Sequence, residues 1–344
     1  MLMHKWFLFI GIVLLGGLVV VGCQKKVQVS EDKSKLQVGL VFNVGGRGDK
    51  SFNDSAYAGL ELVAKKYQLV MGKDIEYIEP SESMDRESAL RQLAQKGKKV
   101  IIGTGFLISD DINRVAKDYP QIKFACVDYV PPQSGEIPAN VVGLQFKEEQ
   151  GSFLVGALAG MLTKTNKVAF VGGMQSPIIK KFEDGYRAGV QYVNSDCKVA
   201  SSYAGLTLTA FQDPNKGKEL ALTHYQKGAD IIYQASGATG LGVYEAARET
   251  GKFAIGTDGD HWENAPGLVI TSMVKRVDNA VLDTVQSVEE NRFKGGIKQL
   301  DLASGGLDYL YNDNNKKMIP PDIRQKLELI RQDIIKGKIK IADY

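Results

Sequence analysis

The chain has 344 residues with 43 Lys and Arg against 40 Asp and Glu, a formal charge of +3. The basic residues are interspersed with acidic ones, so no stripe exists of the kind that neutralises nucleic-acid phosphates, and nucleic acid is not an expected partner. The length allows two domains of ordinary size, each with its own core.

At the N-terminus, His4-Lys5 precedes an apolar run from Trp6 to Val21 that ends at Gly22-Cys23. A charged start, an apolar middle and small residues at the end make a signal peptide over residues 1–22. The run is shorter than the roughly 20 residues a membrane-spanning helix needs. Val20-Val21-Gly22-Cys23 resembles a bacterial lipobox, with valine where leucine is usual, so Cys23 is the expected lipidation site. An uncleaved membrane anchor is the alternative, and both put the rest of the chain outside the cytoplasmic membrane. Residues 24–35 are polar and aperiodic, a flexible tether following the lipidated cysteine. Of the remaining cysteines, Cys126 and Cys197 each sit in or beside an apolar run, where buried unpaired thiols are expected.

From Leu36 onward short β-rich runs alternate with helical patterns. Strands are expected at LQVGLVFNV, DIEYIE, KVIIGTG and KFACVDY. Between them, SFNDSAYAGLELVAKKY places Tyr57, Leu60, Val63 and Ala64 on one helical face, and helices from Asp85 and Asp110 repeat the pattern. A second series follows VVGLQF: EEQGSFLVGALAGML, KVAFVGG, KKFEDGYRAGVQYV, KVASSYAG, GKELALTHYQKGA, DIIYQAS, GLGVYEAARET and KFAIGTD. Two such series predict two α/β lobes, each a mostly parallel sheet flanked by helices and joined by short hinges. The tail holds LVITSMV, a helix from Arg276, an expected strand pair in KQLDLASGGLDYL and a last helix from Pro320. An economical division gives 36–146 plus 274–304 to one lobe and 147–273 plus 305–344 to the other, with three hinge crossings.

The tools of an enzyme are sparse. The histidines are His4, His224 and His261, with no metal-ligand spacing, no HExxH, no CxxC and no GxSxG elbow. His261 lies beside Asp258, Asp260 and Glu263, a grouping that suggests a metal or acid-base cluster but reads more simply as a solvated loop with a ligand-facing carboxylate. Gly45-Gly-Arg-Gly-Asp-Lys-Ser lacks the order of a phosphate-binding loop, and the charge of Asp49 would repel a phosphate. Its glycines allow a sharp turn, and Asp49 or Ser51 can cap the helix that follows. Ser236 to Gly242 follows a strand and opens a helix but does not fit a dinucleotide fingerprint. No metal and no cofactor are expected. Asn43, Asp128 and Asp258 fall at strand ends, where open α/β sheets bind ligands. Phe52 and Phe211 lie just beyond strand ends and can stack on a planar ring or serve as packing residues, while the aspartates can bind a ligand or cap turns.

Six stretches, in order, resemble the basic membrane protein family: GDKSFND with AYxG, the strand-end Val127-Asp128, FxDPxKG at Phe211, SGxTGxG at Ser236, GTDGDxW at Gly256 and TSMVKRVD at Thr271. Its members are lipoprotein substrate-binding components of ABC importers, among them the purine nucleoside receptor. The resemblance implies a two-lobed type I periplasmic-binding fold, no catalysis, and a nucleoside held between the lobes. On the matching positions, Phe52 and Phe211 sandwich the base, Asn53 and Asp128 read its edge, and Gly237, Asp258 and Lys275 hold the ribose. Asn43 departs from the family's frequent aspartate, exchanging a pure acceptor for a group that also donates. The implied partners are an ABC permease with its ATPase and, through the lipid, a membrane. The expected location is the cell envelope, on the outer side of the cytoplasmic membrane or in an outer membrane, with a monomeric receptor. Other readings are an adhesin acting through Arg47-Gly48-Asp49, a receptor for another small ligand, and an enzyme of nucleoside metabolism.

Overall fold

A computed structural model describes residues 36–43, 45–81 and 85–342. The expected signal peptide, Cys23 and the tether lie outside them.

In chain order the first elements are β1 (Val38–Val41), α1 (Phe52–Tyr67), β2 (Ile75–Ile78), α2 (Asp85–Gln95), β3 (Val100–Thr104), α3 (Ser109–Asp118), β4 (Lys123–Val127) and β5 (Val141–Phe146). They are followed by α4 (Glu148–Leu162), β6 (Lys167–Met174), α5 (Pro177–Val193), β7 (Lys198–Gly205), α6 (Pro214–Gln226), β8 (Ile231–Ala235), α7 (Gly240–Thr250), β9 (Phe253–Asp258) and β10 (Val269–Lys275). The tail supplies α8 (Val277–Glu289), β11 (Gly296–Leu300), β12 (Leu307–Tyr309) and α9 (Pro321–Ile335).

Two sheets result, ordered β11-β5-β4-β3-β1-β2 and β12-β10-β9-β8-β6-β7. The first is parallel throughout, and in the second only β12 runs antiparallel, against β10. Their central strands, such as β1, β3, β4 and β8, are nearly continuous buried apolar runs, as parallel strands covered on both faces must be, while the edge strands β2, β7 and β11 are partly polar and partly exposed. In the first sheet Val38, Leu40 and Phe42 pack toward α1, while Val41, Ile101 and Phe124 pack toward α2 and α3. In the second, Ala169, Val171 and Ile232 pack toward α6 and α7.

The tail departs from expectation. β11 and β12 do not pair with each other: β11 joins β5 in the first sheet and β12 joins β10 in the second. The turn Asp301–Gly306 between them is thus a crossing from one lobe to the other rather than a hairpin. The chain also crosses after β5 and after β10, which runs through Lys275 in the second sheet. The crossings lie side by side: the Lys147 N–H donates to Leu300 O at 2.9 Å and the Arg276 N–H to Gly306 O at 2.9 Å. Short, hydrogen-bonded crossings of this kind permit hinge motion without a floppy linker.

In each sheet the chain order reverses beside one strand, β1 in the first and β6 in the second. The loops that leave these strands and their neighbours β3 and β8 therefore diverge, and the divergence opens a crevice at the carboxyl ends.

Candidate ligand-binding cleft

The loop after β1 carries Asn43, whose backbone N–H donates to Thr104 Oγ1 at 2.8 Å. The Thr104 hydroxyl in turn donates to Asn53 Oδ1 at 3.4 Å, which leaves the Asn53 amide nitrogen as a donor for a ligand. Gly105 permits this geometry, because a side-chain carbon there would stand 2.9 Å from Asn43 Cγ.

Asp49, not Ser51, caps α1. Its carboxylate accepts from the N–H groups of Ser51 at 2.9 Å, Asn53 at 2.9 Å and Asp54 at 3.1 Å. The cap fixes the first turn, and with it Phe52 and Asn53, at the cleft wall. The Ser51 hydroxyl is instead directed to the Asp258 carboxylate of the other lobe. The Arg-Gly-Asp triplet is folded into the same structure. The Arg47 guanidinium lies 3.7 Å from the Tyr57 ring centroid and donates to Tyr77 Oη at 3.0 Å, while Asp49 is committed to the cap.

Asp128 follows β4 and Asp258 ends β9, and they take left-handed φ values of 63° and 72°. For residues with a side chain this conformation is uncommon, and such strain concentrates at functional sites. Here it turns each carboxylate back over its strand end. Both are buried, at 8% exposure. Lys275, 1% exposed at the end of β10, donates to Asp128 Oδ1 at 2.6 Å across the cleft and to Glu148 Oε1 at 3.0 Å in its own lobe. Burial disfavours the Lys275 charge, but Asp128, Glu148 and Asp258 outweigh it and hold the ammonium above the usual lysine range. Burial lifts Asp258 to about 7, against the pull of the Lys275 charge and the Ser51 hydrogen bond, with Asp49 and Asp128 adding like-charge repulsion. The Lys275 ammonium also faces three rings, 5.3 Å from the Phe52 centroid, 4.9 Å from Phe146 and 5.5 Å from Phe182.

The second lobe contributes Phe211 and Gly237. Phe211 sits just before α6, which starts at Pro214 with Asp213 as cap, earlier than the sequence pattern predicts; the Asp213 carboxylate accepts from the Lys216 N–H at 2.9 Å. The Phe211 ring lies over β6 because Gly173 lacks a side chain: a carbon there would meet the ring at 2.3 Å. Gly237, at φ 57°, brings its backbone beside Phe211.

One cleft brings together Asn43, Phe52, Asn53, Asp128, Phe211, Gly237, Asp258 and Lys275, all the residues singled out from sequence. It is also lined by Asp49, Phe106, Ile178, Ile179, Phe182 and Thr257, which sequence reasoning missed. Ile179, Phe182, Tyr186 and Val190 recur at helical spacing on α5, so Phe182 is indistinguishable from a core residue until the lobes are placed. Glu148 was likewise hidden, as an acidic residue in a first helical turn.

His261 is not in a solvated loop. At 2% exposure it stacks on Tyr244, donates from Nε2 to Thr257 O at 2.7 Å and accepts the Asn264 amide at Nδ1, and burial lowers its pKa. Among the described residues no group of His, Cys, Asp and Glu is arranged to hold a metal, and no helix is long and apolar enough to cross a membrane. Cys126 and Cys197 are free and buried, and burial pushes the Cys126 thiol up to about 12.

A family model described as "ABC transporter substrate-binding protein PnrA-like" matches residues 36–344. A CD4+ T-cell-stimulating antigen of Listeria monocytogenes is 33% identical, over 98% of each chain. The ABC transporter nucleoside-binding protein BmpA of Lactococcus lactis is 34% identical, over 90% of each. Among solved structures, an ABC transporter solute-binding protein from Aeropyrum pernix superposes with a TM-score of 0.80 at 30% identity, covering 89% of this chain and 93% of that one. The two-sheet architecture is accordingly that of the periplasmic-binding-protein-like solute receptors.

Proposed function

The chain belongs to the PnrA-like family of ABC transporter substrate-binding proteins, and from that membership we propose that it binds a purine nucleoside between its lobes and delivers it to an ABC permease and its ATPase. The observation that carries this reading is the composition of the cleft wall. Aromatic rings enter from both lobes, Phe52 from the first and Phe211 from the second, and hydrogen-bonding groups stand around them.

In this reading the base lies between the two rings, a stacking worth roughly 1–3 kcal/mol per base. Asn43, Asn53 and Asp128 face its edge. Gly237, Asp258 and Lys275 take the ribose, whose hydroxyls can both donate to carboxylates and accept from the ammonium. Because the ligand touches both lobes, it favours the closed arrangement by the contacts available only there. The 34% identical Lactococcus relative, described as nucleoside-binding, supports the ligand class.

The receptor is held at the cell envelope by a lipid on Cys23, works as a monomer, uses no metal or cofactor and does not turn its ligand over. The division of lobes at 36–146 plus 274–304 and 147–273 plus 305–344 belongs to the same proposal, with the second crossing moved to follow Lys275, since β10 keeps that residue in the second sheet. Phe52→Ala and Asp258→Ala, assayed by equilibrium dialysis with labelled purine nucleosides, are each expected to weaken binding at least tenfold. Unchanged affinity in both variants would reject this site.

A further inference from the structure

We infer that Ser51, which stands beside the cleft without lining it, is a positioning residue that joins the grip on the ligand to the closing of the lobes. The inference rests on the proposed function for the identity of the ligand, but not for the lobe contact itself.

Ser51 occupies the residue before α1, where a serine hydroxyl ordinarily caps the helix. It makes no such bond here, since Asp49 already accepts three of the first N–H groups. The freed hydroxyl, on a residue 3% exposed, meets only acceptors of the other lobe: Asp258 Oδ2 and, at 3.5 Å, Thr257 O. Asp258 lines the cleft while Ser51 does not. The hydroxyl thus occupies one oxygen of this carboxylate and leaves the other for a ligand.

Among the described residues two other polar contacts, of Lys50 and of Lys275, join the lobes in this region, and neither can take the same role. Lys50 Nζ reaches Asn264 Oδ1 at 3.3 Å on the exposed side, where solvent competes. The pair of Lys275 and Asp128, at 2.6 Å, lies inside the cleft among groups the ligand would engage. The Ser51–Asp258 bond is buried, and its Ser51 end lies outside the cleft lining while its Asp258 end faces the ligand. It therefore orients the Asp258 carboxylate only while the lobes are together, so an aligned carboxylate and a closed cleft come as one state.

The test places spin labels at Val130→Cys and Leu206→Cys, exposed positions after β4 and β7 in opposite lobes; the native Cys126 and Cys197 are buried and escape labelling. Pulsed dipolar distances are measured without ligand and with inosine, in otherwise wild-type, Ser51→Ala and Ser51→Thr backgrounds. Ser51→Ala is expected to shift the distances outward without ligand and to weaken inosine binding about tenfold, the effect of one hydrogen bond to a charged group. Ser51→Thr, which keeps the hydroxyl, is expected to restore both. A Ser51→Ala distribution identical to wild type, or a Ser51→Thr variant as open as Ser51→Ala, would overturn the inference. If inosine and the other purine nucleosides bind no background, the nucleoside reading fails, and the ligand-free distances still decide the role of Ser51.

Discussion

Two residues of the cleft wall, Asn43 and Asp258, carry predictions that can be tested separately. Asn43 stands at the end of the first strand with an amide that both donates and accepts. Asn43→Asp removes the donor and adds a charge, so ligands with an acceptor on the facing edge should lose most. Inosine, which has a carbonyl at purine position 6, is expected to weaken roughly tenfold relative to adenosine, which has an amino group there; an unchanged ratio in competition binding would mean that Asn43 does not face the base. Asp258 is expected to contribute to the pH dependence of stability. Its folded value of about 7 lies above the ordinary 3.8, so the folded protein keeps a proton that the unfolded chain gives up. Its contribution to stability is full below about pH 4 and is lost as pH rises toward about 7. Thermal melts between those limits should show a downward slope that Asp258→Asn flattens, and an identical slope in the variant would contradict the assignment. The strand-end positions of Asn43, Asp128 and Asp258 were legible in the sequence because an apolar run followed by a polar residue marks a strand end. The choice between Asp49 and Ser51 as helix cap was not, because both are competent caps and the choice depends on Asp258, more than two hundred positions away.

At the scale of elements, helix packing in the second lobe depends on residues without side chains. A carbon added at Gly156 would stand 2.1 Å from Tyr186 O, and one at Gly189 would stand 2.0 Å from Phe153 O, so α4 and α5 touch backbone to backbone. Gly189→Ala forces them apart and is expected to cost about 1–3 kcal/mol, read as a Tm lower by several degrees. Gly259→Ala, with open space around it, is the comparison that should leave Tm unchanged. A Gly189→Ala protein as stable as wild type would show that the helices are free to slide. The alternation of strands and helices was legible from periodicity, but two helix starts were not. α5 begins at Pro177, where Ser176 accepts from the Ile179 N–H, and α6 begins at Pro214 behind Asp213. In both, a proline at the first turn masks a start that the apolar spacing alone places later. The separation of β11 from β12 was hidden for a different reason: each is too short to declare its partner, and pairing is decided by the sheet edge available to it.

At the scale of the molecule, the two lobes present their strand ends to one another, and residues far apart in sequence become a single wall. Motifs in the right order identified the aromatic and polar members of that wall. Ile178, Ile179 and Phe182 escaped notice because their exposure to the cleft arises only when the lobes meet, and Glu148 because it acts from beneath the wall, through Lys275. If the rings of Phe52 and Phe211 clasp a base from opposite sides, Phe211→Ala should weaken binding by roughly 1–3 kcal/mol with little change in Tm, measured by titration and melting on the same sample. An equal loss of stability and affinity would assign Phe211 to packing. The most direct test of the central claim is a calorimetric titration of ligand-stripped protein, beginning at Gln24, with adenosine, guanosine, inosine, cytidine and uridine. The expected result is one site per chain with micromolar or tighter affinity, about −8 kcal/mol or better, for at least one purine nucleoside and weaker binding of the pyrimidines. Silence toward all five would contradict a nucleoside receptor.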